Sequence, residues 1–126
     1  MIIRIDMESE MPIYTQLVHQ IIEGIVNGQL LPYETLPSVR RMASDIGINM
    51  HTVNKAYKIL EQEGYIQIHR RKGVVVLAGR VHNDSEQYLE QVKETLRPVI
   101  AGAIYRNITL DQLQAAILDV YEDIHQ

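Results

Sequence analysis

The chain has 126 residues, 46% of them apolar and 22% charged, with a net charge of −4 and no Cys, Trp or Phe. That length gives room for one small domain plus an appendage, and the composition is globular rather than disordered. The absence of Cys excludes disulfides, thiolate metal sites and Cys nucleophiles, and no run approaches the roughly 18 apolar residues of a membrane span. The N-terminus shows no basic-then-apolar signal pattern, so a cytoplasmic protein is expected.

Residues 1–10 begin with Ile2-Ile-Arg-Ile5, which reads as a short strand or an ordered arm of no legible function. Pro12 suits the first turn of a helix, where its missing N–H costs nothing. Ile13, Leu17, Ile21 and Ile25, joined by Val18 and Ile22, give that helix a broad apolar face. Gly28 ends it, and Gln29-Leu-Leu-Pro-Tyr-Glu34 is a loop.

From Leu36 to Tyr57 the pattern is two short helices around a tight turn. Pro37 fixes the entry, and Ser38 is placed to cap the first helix by accepting an N–H that has no partner in the first turn. Met42, Ala43 and Ile46 supply its apolar side, and Gly47 supplies the left-handed residue that ends it. Asn49 caps a second helix, in which Val53, Ala56, Tyr57 and Leu60 recur at i, i+3, i+4 and i+7, the spacing of a buried stripe. Met50, His51, Asn54, Lys55 and Lys58 remain on its outer face. This is a helix-turn-helix whose second helix is the candidate reader of a DNA major groove. The bland alternative is a helical hairpin with solvated charges.

The second helix ends at Gly64. Tyr65-Ile-Gln-Ile68 alternates like a strand, Val74-Val-Val-Leu77 is strongly β-prone, and His69-Arg-Arg-Lys-Gly73 joins them. The result is a hairpin with Arg70, Arg71 and Lys72 at its tip, shaped to lie along a phosphate backbone or enter a minor groove. Basic hairpins also serve solubility alone.

Beyond Gly79 the chain turns acidic and helical. Asp84 or Ser85 caps a helix carrying Leu89, Val92, Leu96, Val99 and Ala103 at 3-4-3-4 spacing, and Pro98 should kink or split it near Leu96–Arg97. Thr109-Leu-Asp-Gln112 is a capping box that opens a last helix with Leu110, Leu113, Ile117, Val120 and Ile124 on one stripe. Two helices of this size cannot enclose a core alone. The stripe of Leu89, Val92, Leu96, Val99, Leu113, Ile117, Val120 and Ile124 therefore reads as a dimerisation surface, the competing reading being packing on the chain's own first domain. The division expected is residues 1–79 and 80–126.

Pro12-Ile-Tyr-x-Gln16, Leu36-Pro-Ser-x-Arg40, Thr52-Val-x-Lys-Ala-Tyr57 and Glu63-Gly-Tyr65 fall in one order with consistent gaps. Together they resemble the winged-helix domain of the GntR family of bacterial transcriptional regulators, from about Met11 to Val76. The short tail is similar to that of the YtrA-type subgroup. The resemblance implies a mostly α fold with a small β-hairpin, a winged helix-turn-helix followed by a helical dimerisation tail. It implies a repressor on double-stranded DNA, controlling a neighbouring transporter operon that includes its own gene, and a homodimer paired through the tail calls for a pseudo-palindromic operator.

The resemblance also implies that Arg40 contacts DNA and that Asn49, Met50, His51, Thr52 and Asn54 line the groove-facing start of the reading helix. By their chemistry, Asn54 suits adenine, Arg40 a guanine edge or a phosphate, and Thr52 and Asn49 phosphates. Ser38, Arg41, Lys55, Lys58 and the wing residues Arg70, Arg71, Lys72 and Gly73 complete the expected interface, although Arg41 can equally pair with Asp45 at i+4. Two positions depart from the pattern. Related regulators commonly carry Arg where Met50 stands, and Gly where Tyr33 or Glu34 stands.

The negative net charge is consistent with this once it is divided along the chain. Residues 35–80 carry eight Lys and Arg against three Asp and Glu, a balance of +5, whereas residues 81–126 carry three against eight. A local basic patch governs phosphate binding more than the total does. Against an enzyme, there is no Gly-rich phosphate loop, no nucleophile motif and no HxxxH or HExxH spacing among the five His at 19, 51, 69, 82 and 125. Asp119, Glu122, Asp123 and His125 fit a solvated helix end better than a metal site. No cofactor is implied, and a tail this short leaves no room for a large effector pocket, though a small molecule could still bind at a dimer cleft. A winged helix used only for protein contacts is the other competitor.

Overall fold

Two apolar stripes meet at the centre of the first unit. Leu17 and Ile21 of α1 (Ile13–Val26) and Val53, Ala56, Tyr57 and Leu60 of α3 (Met50–Gln62) have no solvent exposure. The structure is a computed structural model that describes residues 2–78 and 84–125. It divides into two compact units, Met1–Gly79 and Arg80–Gln126.

Between the two helices lies α2 (Val39–Ile46), which adds Met42 and Ala43 to the same core. The local chemistry of the turn is as the sequence implies. Ser38 Oγ accepts from the Arg41 N–H at 3.1 Å, Gly47 adopts φ +70°, and Asn49 Oδ1 accepts from the His51 N–H at 2.6 Å. Gly64, at φ +85°, turns the chain out of α3.

The hairpin is part of a slightly larger sheet. Strands β2 (Ile66–His69) and β3 (Gly73–Val76) pair antiparallel from Ile66↔Val76 to His69↔Gly73. A two-residue strand β1 (Thr35–Leu36), which the sequence pattern does not announce, pairs with the other edge of β3, giving the order β1-β3-β2. Leu36, Ile66, Val74 and Val76 turn inward and close the core beneath α3.

Residues 2–11 form an ordered arm, not a strand. Ile3 and Ile5 pack against the core, while two glutamines one helical turn apart on α1 hold the backbone above them. The Gln16 amide accepts from the Asp6 N–H at 2.9 Å and donates to the Asp6 and Met11 carbonyls at 3.0 and 2.9 Å. Gln20 does the same for both backbone groups of Arg4. Each amide matches the backbone donor and acceptor of one residue, so α1 supplies what a neighbouring strand otherwise would.

The second unit holds α4 (Ser85–Tyr105) and α5 (Leu110–His125). Of the two expected outcomes, a kink or a split, Pro98 does not produce the split: the helix runs through it without interruption. Proline there forfeits one backbone bond in a helix of 21 residues, and the remaining bonds carry the chain past it. The turn after α4 uses Asn107 at φ +61°, a residue type tolerant of that region. The capping box is closed in both directions, Thr109 N–H to Gln112 Oε1 at 2.8 Å and Gln112 N–H to Thr109 Oγ1 at 3.1 Å.

Candidate nucleic-acid interface

The helix α3 divides into a dry side and a wet side. Opposite its buried stripe, Met50, His51, Lys55 and Lys58 are exposed and Thr52 and Asn54 half-exposed. Asn49, Ser38 and Arg40 are exposed as well, at the starts of α3 and α2. Met50 presents 44% of its surface, an apolar side chain kept on the outside. Arg70, Arg71 and Lys72 form the exposed turn between β2 and β3. Gly73 follows at φ +78°, a conformation that spares the wing the strain a side chain would bring.

Several of these side chains already have work within the protein. Ser38 Oγ and Asn49 Oδ1 are held as capping acceptors, leaving the Ser38 O–H and the Asn49 amide N–H groups as donors toward a phosphate. Arg41 pairs with Asp45, its Nε 3.2 and 3.3 Å from the two carboxylate oxygens. Both partners are largely in water, so this pair is weak and yields readily to a phosphate.

Three contacts fix α3 against its surroundings, and none of them is visible in residue spacing. The Tyr57 hydroxyl donates to the Pro37 carbonyl, tying α3 to the chain just before α2. Glu61 Oε2 accepts from the Ile68 N–H at 2.9 Å, tying α3 to the wing's edge strand β2. The Lys55 ammonium stands 4.0 Å above the centre of the Tyr14 ring, tying α3 to the first turn of α1. Burial raises the pKa of Tyr57 well beyond the ordinary tyrosine range, so its hydroxyl remains a donor at every physiological pH.

In the second unit the expected dimerisation stripe is uneven. Val92, Leu96, Leu113 and Ile124 are half-buried, whereas Leu89, Val99, Ile117 and Val120 lie open. The open surface extends to Ile100, Ile104, Leu118 and Tyr121, which a strict 3-4-3-4 reading leaves out. No residue of α5 is buried, and in α4 only Ala103 is. Among the described residues no group of three or more His, Asp or Glu is gathered to hold a metal ion, and no helix is long and apolar enough to cross a membrane. His82 lies outside the described residues.

The sequence matches the family described as bacterial regulatory proteins, gntR family, over residues 13–76. It is 36% identical over 122 residues to the HTH-type transcriptional repressor YtrA of Bacillus subtilis (strain 168), covering 97% of this chain and 94% of that one. A solved structure described as a transcriptional antiterminator from Listeria monocytogenes EGD-e superposes with a TM-score of 0.92 at 29% identity, covering 100% of this chain and 94% of that one. The DNA-binding domain of AraR in complex with operator ORE1 superposes with a TM-score of 0.51 at 26% identity, covering 58% and 89%.

Proposed function

The chain belongs to the GntR family of bacterial regulatory proteins, DNA-binding transcriptional regulators and not enzymes, and from that premise we propose a sequence-specific homodimeric repressor. The observation that carries the reading is the division of α3, dry on the side of Val53, Ala56, Tyr57 and Leu60 and polar on the side of His51, Asn54, Lys55 and Lys58. A helix anchored on one side and left polar on the other is what a major groove accepts. In this reading Asn54 and Arg40 read base edges, Met50 meets a thymine methyl, and Ser38, Asn49, Thr52, Lys55 and Lys58 position the backbone. Arg70, Arg71 and Lys72 follow the phosphates or enter the adjacent minor groove.

The tail makes the dimer. Apolar side chains left open along α4 and α5 are matched best by the same surface of a second chain, which buries both at once. Two-fold pairing sets two reading helices about one DNA turn, roughly 34 Å, apart and calls for a pseudo-palindromic operator. Occlusion of a promoter by such a dimer is repression, the activity named for the YtrA relative. The regulated genes are its own operon, a transporter operon by analogy with the YtrA-type subgroup. An effector bound between paired tails would change the spacing of the two winged units and release the DNA.

An antiterminator acting on RNA is the reading suggested by the name of one similar structure. Against it stands the geometry of A-form RNA, whose deep, narrow major groove does not admit a helix. Fluorescence anisotropy on DNA from upstream of the gene, titrated with salt and with unrelated DNA and RNA of the same sequence as competitors, separates these readings. Specific regulation requires binding that survives both competitors, depends steeply on salt, and is lost on Arg40→Ala or Asn54→Ala. Equal affinity for all duplexes would overturn sequence specificity, and competition by the RNA would favour the antiterminator. Failure to bind even at low salt would favour a protein-interaction module.

A further inference from the structure

We infer that Tyr14 is a positioning residue for DNA affinity, acting through Lys55 from outside the helix-turn-helix. The inference rests on the DNA-binding reading above. His51, Lys55 and Lys58 recur at i, i+4 and i+7 and form one exposed stripe along α3. Within it Lys55 is the cation fixed by an aromatic ring, its ammonium 4.0 Å above the centre of Tyr14. The ring is itself braced, because Tyr14 is half-buried in the first turn of α1 and packs against the core.

A free lysine loses much rotamer freedom when it grips a phosphate, and that loss opposes binding. Contact with the ring removes part of that freedom before DNA arrives. It leaves the outer side of the ammonium hydrated, since Lys55 remains exposed. An ammonium has three donors and no planar geometry to satisfy, so it can rest on a ring and meet a phosphate oxygen at once. The ring's negative face and a phosphate approach the cation from different sides, so the phosphate contact does not require the ring contact to break. Tyr14 therefore contributes to affinity for every sequence equally, as a phosphate contact does, and not to discrimination between sequences.

A double-mutant cycle on the full chain tests this, with operator and unrelated DNA each titrated at several salt concentrations. Lys55→Ala should weaken binding to both and reduce the salt slope by about one contact. Tyr14→Leu should weaken both about threefold, the scale of part of one lysine's rotamer entropy. Tyr14→Phe, which keeps the ring, should bind as the wild type does. In the Lys55→Ala background Tyr14→Leu should cost nothing further. Loss of affinity in that background would mean that Tyr14 acts only by holding α1, and the inference falls. Unchanged or tighter binding by Tyr14→Leu would also overturn it, the latter because the ring would then be sequestering the lysine. If Lys55→Ala itself has no effect on either DNA, the assignment of this face to phosphate contact fails, and the inference with it.

Discussion

The hydroxyl of Tyr57 donates to the carbonyl oxygen of Pro37 at 2.7 Å, joining the middle of α3 to the residue just before the Ser38 cap. One bond thus sets where α2, with Arg40 in its first turn, begins relative to α3. Tyr57→Phe is expected to cost about 1 kcal/mol of stability, the net worth of a neutral hydrogen bond, as read from urea unfolding. The same residue gives an alkaline signature. Burial raises its pKa in the folded chain, while the unfolded chain releases that proton near pH 10. The folded state therefore holds the proton more tightly, and stability is full below about pH 10 and declines as pH rises above it. Tyr57→Phe should flatten that decline. An identical alkaline limb in both proteins would count against the assignment.

The helices and their ends are legible in the sequence because their causes are local. Ser38, Gly47, Asn49 and the Thr109–Gln112 pair each act within four residues. The basic tip of the wing is legible for the same reason. Strand β1 is not, since two residues carry no period and Thr35–Leu36 becomes a strand only when β3 arrives beside it. The Gln16 and Gln20 clasps, the Tyr57–Pro37 bond and the Lys55–Tyr14 contact join residues 10 to 41 apart, and spacing alone cannot announce them. Pro98 is the opposite case, a strong local signal that does not split the long helix around it.

Tyr33 stands at φ +67° with its side chain 73% exposed, while its N–H donates to the Val76 carbonyl at 2.7 Å. The backbone conformation is held by that bond, and the side chain gains little from it. Tyr33→Gly should stabilise the domain by up to about 1 kcal/mol, because relief of the left-handed strain exceeds the added flexibility of the unfolded chain. Thermal unfolding with a raised midpoint is the expected result.

Gln16 is buried and bonded to both backbone groups of Asp6 and to the Met11 carbonyl. Gln16→Leu keeps the volume and removes all three bonds, so the arm should loosen from Asp6 to Met11 before the domain unfolds, while Gln20 still holds Arg4. Hydrogen exchange at the Asp6 amide should accelerate by more than tenfold, while the global unfolding midpoint moves far less.

Ile117 and Val120 are 57% and 59% exposed on α5, so charging them disturbs little within one chain. Replacing both with Lys should nonetheless abolish the dimer by burying unpaired charge at its interface, and operator affinity should fall at least tenfold with the loss of linked half-sites. Sedimentation equilibrium gives the first result and anisotropy the second. A dimer of unchanged strength would remove these residues from the interface.

The most direct measurement is hydroxyl-radical footprinting of the full-length protein on its upstream DNA. A two-fold dimer reading successive major grooves should protect two equivalent clusters, related by symmetry and centred about 10 base pairs apart. The Ile117→Lys, Val120→Lys protein should lose both together. A single unsymmetrical footprint, or two that survive in the monomer, would contradict the account of a regulator whose tail exists to pair two reading helices.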